Sequence, residues 1–394
     1  MPDSKSPLFL HISDAHFSTD GTKANGQDIK NKLVGTKVRT NEELFESTLA
    51  ALVKTWQGRK IAAILLTGDY DNRGPSGGMK RIRDILKKQL GNKDLPPIVV
   101  VPGNHDVLRD SAPNSSARYA EFIECWRDSS LKHVTPFLDE IDEIANLNGN
   151  WQQHCFVDSE KKFIVVPINS CNWAQSKLEH PPKFDKKFWD ELPELAGNGD
   201  SIKSKEIKNT IQSQLGLFLA ADAALISDEQ FSALKIIVGL AEDAADKDAI
   251  KIALIHHHLL PVDSKEEHKI YGDIINLGAF RQFLRQHDFK ILLHGHKHTN
   301  SIYVDHIYKE GDENIEVDAH EILVISGGAI GGGDACRSLE LQNLPYAPIC
   351  NISSIPLLKA IDKNEALEIN PNNPLGRRSG FSPTCRVKTR PTTP

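Results

Sequence analysis

The sequence predicts an α/β layered domain, and three observations predict it. Short apolar runs rich in Ile, Val and Leu recur along the chain, amphipathic helical patterns separate the first of them, and polar residues gather where the runs stop. Continuous apolar runs of this length suit strands buried on both faces of a sheet. Strand–helix alternation then implies helices layered against that sheet.

The first run is "PLFLHISD" (7–14), followed by "NEELFESTLAALVKTW" (41–56), where Leu44, Leu49, Leu52 and Val53 fall at helical spacing. "IAAILLTGD" (61–69) gives a second strand, and "GGMKRIRDILKKQL" (77–90) a second amphipathic helix that stops at Gly91. "PPIVVVPGNHD" (96–106), "FIVVPINS" (163–170), "IKIALIHHH" (250–258) and "FKILLHGHKH" (289–298) supply further strands. Two stretches break the rhythm. Residues 108–155 are polar and helical in pattern ("SARYAEFIECWRD", "VTPFLDEIDEIANL"), and residues 172–232 combine a Pro- and Lys-rich loop, "EHPPKFDKKFWDELPEL", with a polar stretch and then a helix. Both follow strand ends, where an insertion forms a lid over a site. Beyond residue 300 the pattern becomes β-like ("SIYVDHIYKE", "EILVISGGAIGGG", "ICNISSIPLLKAI"). The expected organisation is one domain over 1–370 with lid-like insertions near 108–155 and 172–232. Residues 371–394, rich in Pro, Ser and Thr and without an apolar period, read as a disordered tail.

The bulk numbers narrow the class. The chain has 394 residues, 39% hydrophobic and 25% charged, enough for a packed core. A net charge of −6 from 47 basic and 53 acidic residues argues against a surface built for nucleic acid. Six cysteines at 125, 155, 171, 336, 350 and 385 form no CxxC pair, which suits a reducing compartment. The N-terminal apolar run is too short for a signal peptide, and no stretch is long enough to span a membrane. The protein is expected to be cytoplasmic, with no membrane partner.

The strand ends carry the chemistry. They read Asp14-Ala15-His16, Gly68-Asp69, Gly103-Asn104-His105-Asp106, His256-His257-His258, and His294, His296 and His298 at alternate positions. Sites in open α/β sheets lie beyond the carboxyl ends of the strands, so these motifs converge on one crevice. Two divalent ions about 3.5–4 Å apart form a clamp for in-line displacement at phosphorus. Strand residues two apart are separated by about 6.5–7 Å. Two histidines so spaced reach one ion each, and a third overshoots. His296 and His298 are therefore the candidate ligands, with His294 behind them or in packing. His11, His257 and His258 read as structural neighbours. The glycines of "SGGAIGGG" read as tight turns, since no GK[ST] follows. The basic residues Arg377, Arg378, Arg386, Lys388 and Arg390 read as a solvated terminus.

The ordered set DxH, GDxxN, GNHD, a histidine after a strand, and GHxH resembles the calcineurin-like metallophosphoesterases, from Asp14 to His298. That resemblance implies a four-layer α/β/β/α sandwich with helical insertions and a dinuclear metal site. By the same resemblance, Asp14, His16 and His298 would hold one ion, Asn104, His256 and His296 the other, and Asp69 would bridge them. His105 would contact phosphate or protonate the leaving group, oriented by Asp106. Arg73 in "GDYDNRG" becomes a candidate phosphate contact, by similarity to the "GDYVDRG" of Ser/Thr protein phosphatases. That subfamily departs elsewhere: Asn72 replaces an acid, Pro102 an arginine, and the motif ends GNHD. In purple acid phosphatases a metal-binding tyrosine would fall at Asn72.

The implied activity is metal-dependent phosphoester hydrolysis through hydroxide generated near neutral pH, on diesters in preference to phosphoproteins. GNHD with GHxH resembles the cyclic-nucleotide and phospholipid-headgroup diesterase branch. Two divalent ions are expected, Mn²⁺ first, with Fe, Zn or Co admitted by nitrogen and oxygen donors without thiolate. The expected partner is a phosphate-ester substrate. Two rival readings are a DNA nuclease of the SbcD/Mre11 type, with nucleic acid as substrate, and a scaffold that keeps the fold without catalysis. Nothing in the sequence reads out the oligomeric state.

Overall fold

The computed structural model describes residues 7–17, 40–55, 60–72, 74–91, 95–109, 111–113, 115–127, 133–138, 144–174, 186–197, 200–220, 224–260, 274–299, 301–309, 319–329, 336–342, 349–355 and 384–386. One sheet is built on four parallel strands, β1 (Leu8–Ile12), β2 (Ile61–Leu66), β3 (Ile98–Val100) and β4 (His133–Val134). The second contains β5 (Phe156–Val157), β6 (Phe163–Pro167), β7 (Ile250–Leu254), β8 (Phe289–His294), β9 (Ile302–Ile307) and β10 (His320–Ser326) in the order β5-β6-β7-β8-β10-β9. In it, β6, β7, β8 and β10 are parallel, and β5 and β9 close the edges antiparallel. Strands β11 (Cys336–Gln342), β12 (Ile349–Ile355) and β13 (Thr384–Arg386) extend the first sheet antiparallel from β1.

Alternation along each strand divides the core into three layers. Between the sheets pack Phe9, Ala63, Leu65, Val99, Val165, Ile252, Leu254, Leu293 and Ile325. On the outer face of the first sheet, Leu10, Ile12, Ile64 and Leu66 meet α1 (Asn41–Thr55), α2 (Gly78–Leu90) and α3 (Ala120–Trp126) through Phe45, Leu49, Ile82, Leu86, Phe122 and Trp126. Two further helices, α4 (Lys186–Gly197) and α5 (Ser201–Ala220), pack on each other. On the outer face of the second sheet, Ile164, Val166, Ala253 and Leu292 meet α6 (Asp228–Ala244) and α7 (Leu277–Gln286) through Leu234, Ile237, Val238, Phe280 and Leu284. The result is the four-layer α/β/β/α sandwich. Both faces of β1, β2, β7 and β8 are covered, which is why those strands read as unbroken apolar runs rather than alternating ones.

Local chemistry sets the helix ends. Thr40 Oγ1 accepts from the Glu43 N–H at 3.1 Å and Glu43 Oε2 accepts from the Thr40 N–H at 3.1 Å, a reciprocal cap on α1. Gly91, at φ 81°, ends α2 as expected, donating its N–H to Lys87 O. The helical pattern anticipated over 134–147 is not followed at its start. His133-Val134 instead pairs with Ile98-Val99 as an edge strand, and residues 135–138 have no regular structure. Pro136 has no N–H to give a helix and disfavours helical backbone at Thr135. The stretch expected as a loop over 179–195 contains α4, which carries Pro193 within it. A Cβ on Gly197 would lie 2.1 Å from Ser204 Oγ, so glycine permits the close approach of α4 to α5.

Of the C-terminal stretch expected to be disordered, Thr384–Arg386 forms the described strand β13, paired with β12.

Candidate metal centre

Parallel strands of both sheets present their carboxyl ends to one crevice, and backbone hydrogen bonds tie the loops there together. The Asp14 N–H donates to Gly68 O at 3.1 Å, His16 N–H to Asp69 O at 2.9 Å, and Gly295 N–H to His256 O at 3.0 Å. Asp14 joins the two sheets, accepting the His296 N–H on Oδ1 at 3.0 Å and on Oδ2 at 3.1 Å. Asp14, His16, Asp69, His296 and His298 all have positive φ, five of the seven non-glycine residues in that region among those described. Asp and His tolerate it better than most residues, but strain concentrated in one crevice is a mark of a functional site.

Two groups of side chains here could each hold a metal ion. Asp14, His16, Asp69 and His298 offer one ligand atom each, all within 4.8 Å of one another. His16 Nε2 lies 3.7 Å from Asp69 Oδ2 and 2.8 Å from His298 Nε2, and His298 Nε2 lies 3.4 Å from Asp14 Oδ1. His256, His257 and His296 form the other group. Asn104 Oδ1 and Asp69 Oδ1 approach it, at 2.9 and 3.5 Å from His256 Nε2, and His296 Nδ1 lies 3.3 Å from the same nitrogen. Asp69 thus turns Oδ2 toward one group and Oδ1 toward the other.

The donor chemistry fits cations. His256 Nδ1 sits 2.7 Å from the Thr67 carbonyl, which can only accept, so the ring proton is on Nδ1. Its Nε2 faces the oxygens of Asn104 and Asp69, three groups that a cation between them would satisfy together. A carbonyl on the remote ring nitrogen is also how metal-bound histidines are oriented.

Burial favours neutral imidazole at His16, His257 and His296. It holds His16 down at about 4, against the pull of Asp69, with His298 adding to the depression. Burial, then neighbouring imidazoles, push His257 and His296 well below the usual histidine range. Burial opposes ionisation of Asp14, but its hydrogen bond and charge interaction with His298, with His256 and His16 beyond, hold the carboxyl well below the usual carboxylate range. Asp69 is lowered despite burial by His256, His105 and His16.

His105 stands beside these groups. Its N–H donates to Asp69 Oδ1 at 2.9 Å, its Nδ1 donates to Asn72 O at 2.5 Å, and its ring meets His16 edge to face at 5.2 Å. Asp106 does something other than hold that ring. Its carboxylate accepts N–H groups from Asp69 (2.7 Å), Tyr70 (2.9 Å), Asp71 (3.1 Å) and Gly103 (2.8 Å). It therefore fixes the backbone that presents both Asp69 and Asn72. Burial, with Asp69 and Asp71 nearby, pushes the Asp106 carboxyl up. Gly103 allows the approach, because a Cβ there would lie 2.1 Å from Asp69 Oδ1.

His294 is fully buried, with Nδ1 3.0 Å from Gly295 O, and His258 stacks on His296 at 6.0 Å. His11 is buried against Thr67 Oγ1 at 3.0 Å. Arg73 lies outside the described residues. Sequence reasoning passed over the end of β6, where Asn169, Ser170, Cys171 and Asn172 are all fully buried and Ser170 Oγ lies 2.8 Å from His257 Nδ1. The signal was there in "PINSCN", a polar run directly after an apolar strand. A cavity of about 1050 Å³ lined by Pro7, Lys60, Ile61, Trp151 and Phe156 lies before the strands instead and contains none of these groups.

A family of phosphoesterases has this combination of fold and site. The profile of the calcineurin-like phosphoesterases matches residues 7–300, and the chain belongs to that family. Among solved structures it is similar to a dimetal phosphatase from Danio rerio, at 12% identity and TM-score 0.48, over 90% of this chain and 99% of that one. A calcineurin-like phosphoesterase, YfkN, from Bacillus subtilis aligns at 12% identity and TM-score 0.40, over 89% and 91%. The purple acid phosphatase PPD1 of yellow lupin (Lupinus luteus) seeds aligns at 12% identity and TM-score 0.40, over 89% of this chain and 52% of that one. No curated protein sequence matches the chain. Among the described residues, no helix is long and apolar enough to cross a membrane.

Proposed function

We propose that the chain is a phosphodiesterase with two divalent cations, held by Asp14, His16 and His298 on one side and by Asn104, His256 and His296 on the other, with Asp69 between them. The observation that carries this reading is the split of the Asp69 carboxylate, with Oδ2 3.7 Å from His16 Nε2 and Oδ1 3.5 Å from His256 Nε2. When bound, two such ions lower the pKa of water and neutralise phosphoryl oxygens. Nitrogen and oxygen donors without thiolate admit Mn²⁺, our first candidate, as well as Fe, Zn or Co.

The chain's own residues do the rest. Asn72 O fixes the His105 ring through Nδ1, which leaves Nε2 to meet a phosphoryl oxygen or, when protonated, to give its proton to the departing alkoxide. The His105 N–H on Asp69 keeps that ring in step with the carboxylate. Asp106 acts as a positioning residue through the backbone of 69–71. Arg73, by its place in the motif, is our candidate for a further phosphate contact, and the insertions near 108–155 and 172–232 for the lid that selects substrate. GNHD with GHxH supports diesters over monoesters, and scattered cysteines support a cytoplasmic location.

Hydrolysis of bis-p-nitrophenyl phosphate against p-nitrophenyl phosphate, with Mn²⁺ restored after chelation, tests the reading. Diester turnover should exceed monoester turnover, and His105→Ala should lower kcat by about 10²–10⁴ with metal content unchanged. Preference for the monoester, or an unaffected His105→Ala, would contradict it.

A further inference from the structure

We infer that His257 is a nitrogen donor of the second cation position, which makes that position a three-histidine site able to hold an ion without Asp69. The inference rests on the two-cation reading above and assigns a ligand that the motif leaves out. One ring nitrogen from each of His256, His257 and His296 lies within 4.8 Å of the others. The His257 ring centroid is 4.9 Å from that of His256 and 4.6 Å from that of His296. Its side chain is fully buried, and its Nε2 has no hydrogen-bond partner among the described residues.

The other ring nitrogen explains the orientation. Ser170 Oγ lies 2.8 Å from Nδ1 and, as an acceptor of the Nδ1 proton, would fix the ring by its remote nitrogen and leave Nε2 for the site, the role that Thr67 O has toward Nδ1 of His256. Three imidazoles with an open fourth position form a familiar zinc-binding arrangement. The two positions then differ in character. The first has two carboxylates and two imidazoles, whereas the second is rich in nitrogen and should favour Zn²⁺ or Co²⁺ over Mn²⁺.

Ion counting on the full chain, stripped with chelator and reloaded with Zn²⁺, tests this without reference to activity. Wild type should hold two ions, Asp69→Asn one, and Asp69→Asn with His257→Phe none at the same free Zn²⁺, the remaining affinity falling by at least about tenfold. Equal retention by Asp69→Asn and the double variant would overturn the role of His257, as would loss of both ions in Asp69→Asn alone. A wild type that binds no ion would overturn the two-cation reading and this inference with it. Should His257→Phe fail to fold, as judged by melting of the metal-free proteins, Ser170→Ala serves instead, since it frees Nδ1 without removing the ring. Its Zn²⁺ affinity in the Asp69→Asn background should fall by about tenfold. Unchanged affinity would overturn the inference.

Discussion

Asp69 and Gly103 show how little room the centre leaves at the scale of single residues. Asp69 sits at φ 55° with one oxygen toward each donor group, and the Gly103 Cα passes so close that a methyl there would lie 2.1 Å from Oδ1 and 2.2 Å from the Asp69 nitrogen. Gly103→Ala should therefore displace the carboxylate, costing about 1–3 kcal/mol of stability and weakening metal retention. Urea unfolding of the metal-free protein and ion counting on the reloaded protein read the two effects. A Gly103→Ala protein with wild-type values in both would contradict this packing. The motifs made Asp69, Asn104, His256, His296 and His298 legible, because oxygen and imidazole donors placed directly after apolar strands have few other uses. In the sequence His256 reads as the ligand and His257 as a structural neighbour, and nothing local reveals the Ser170 hydroxyl 2.8 Å from His257 Nδ1, because that contact joins residues 87 apart.

Elements are joined here by buried polar side chains as much as by apolar packing. Asp106 gathers four N–H groups from the turns after β2 and β3, and an amide in its place would set its NH2 against some of those donors. Asp106→Asn should cost about 3 kcal/mol by leaving buried donors unpaired and should lower kcat through a displaced His105. A variant as stable as wild type to urea would contradict that role. Arg118, fully buried, donates to Leu108 O at 3.2 Å, Ser111 Oγ at 3.1 Å, Cys171 O at 2.9 Å and also Ala174 O, binding the stretch after β3 to the segment after β6. None of this is written in local periodicity. The strands and the helices α1 and α2 were readable because burial on one or two faces imposes a period. The β4 edge and α4 were not, because two paired residues are too few to show a period and Pro193 argues locally against the helix that surrounds it.

At the scale of the whole molecule, two sheets meet at one crevice, and burying so many imidazoles there has a cost in acid. In metal-free protein, burial holds His16 down at about 4 from 6.5, and His257 and His296 are also depressed. Between these values the unfolded chain takes up protons that the folded chain refuses, so stability present at pH 7 is lost as pH falls through 6.5. The depressed carboxyls of Asp14 and Asp69 add their loss only below the ordinary carboxylate value of 3.8. In chelator, Tm should therefore fall between pH 6.5 and 5, well above the carboxylate range, and a flat Tm across that interval would contradict the buried neutral cluster.

Whether two cations sharing Asp69 carry phosphodiester hydrolysis is read from a titration of chelator-stripped protein with Mn²⁺, followed by bis-p-nitrophenyl phosphate turnover. Stripped protein should give no turnover, full activity should come only once two equivalents are bound, and a folded Asp69→Asn protein should stay inactive at any Mn²⁺ concentration. Activity that saturates at one equivalent, or that survives Asp69→Asn, would contradict a centre of two cations sharing Asp69.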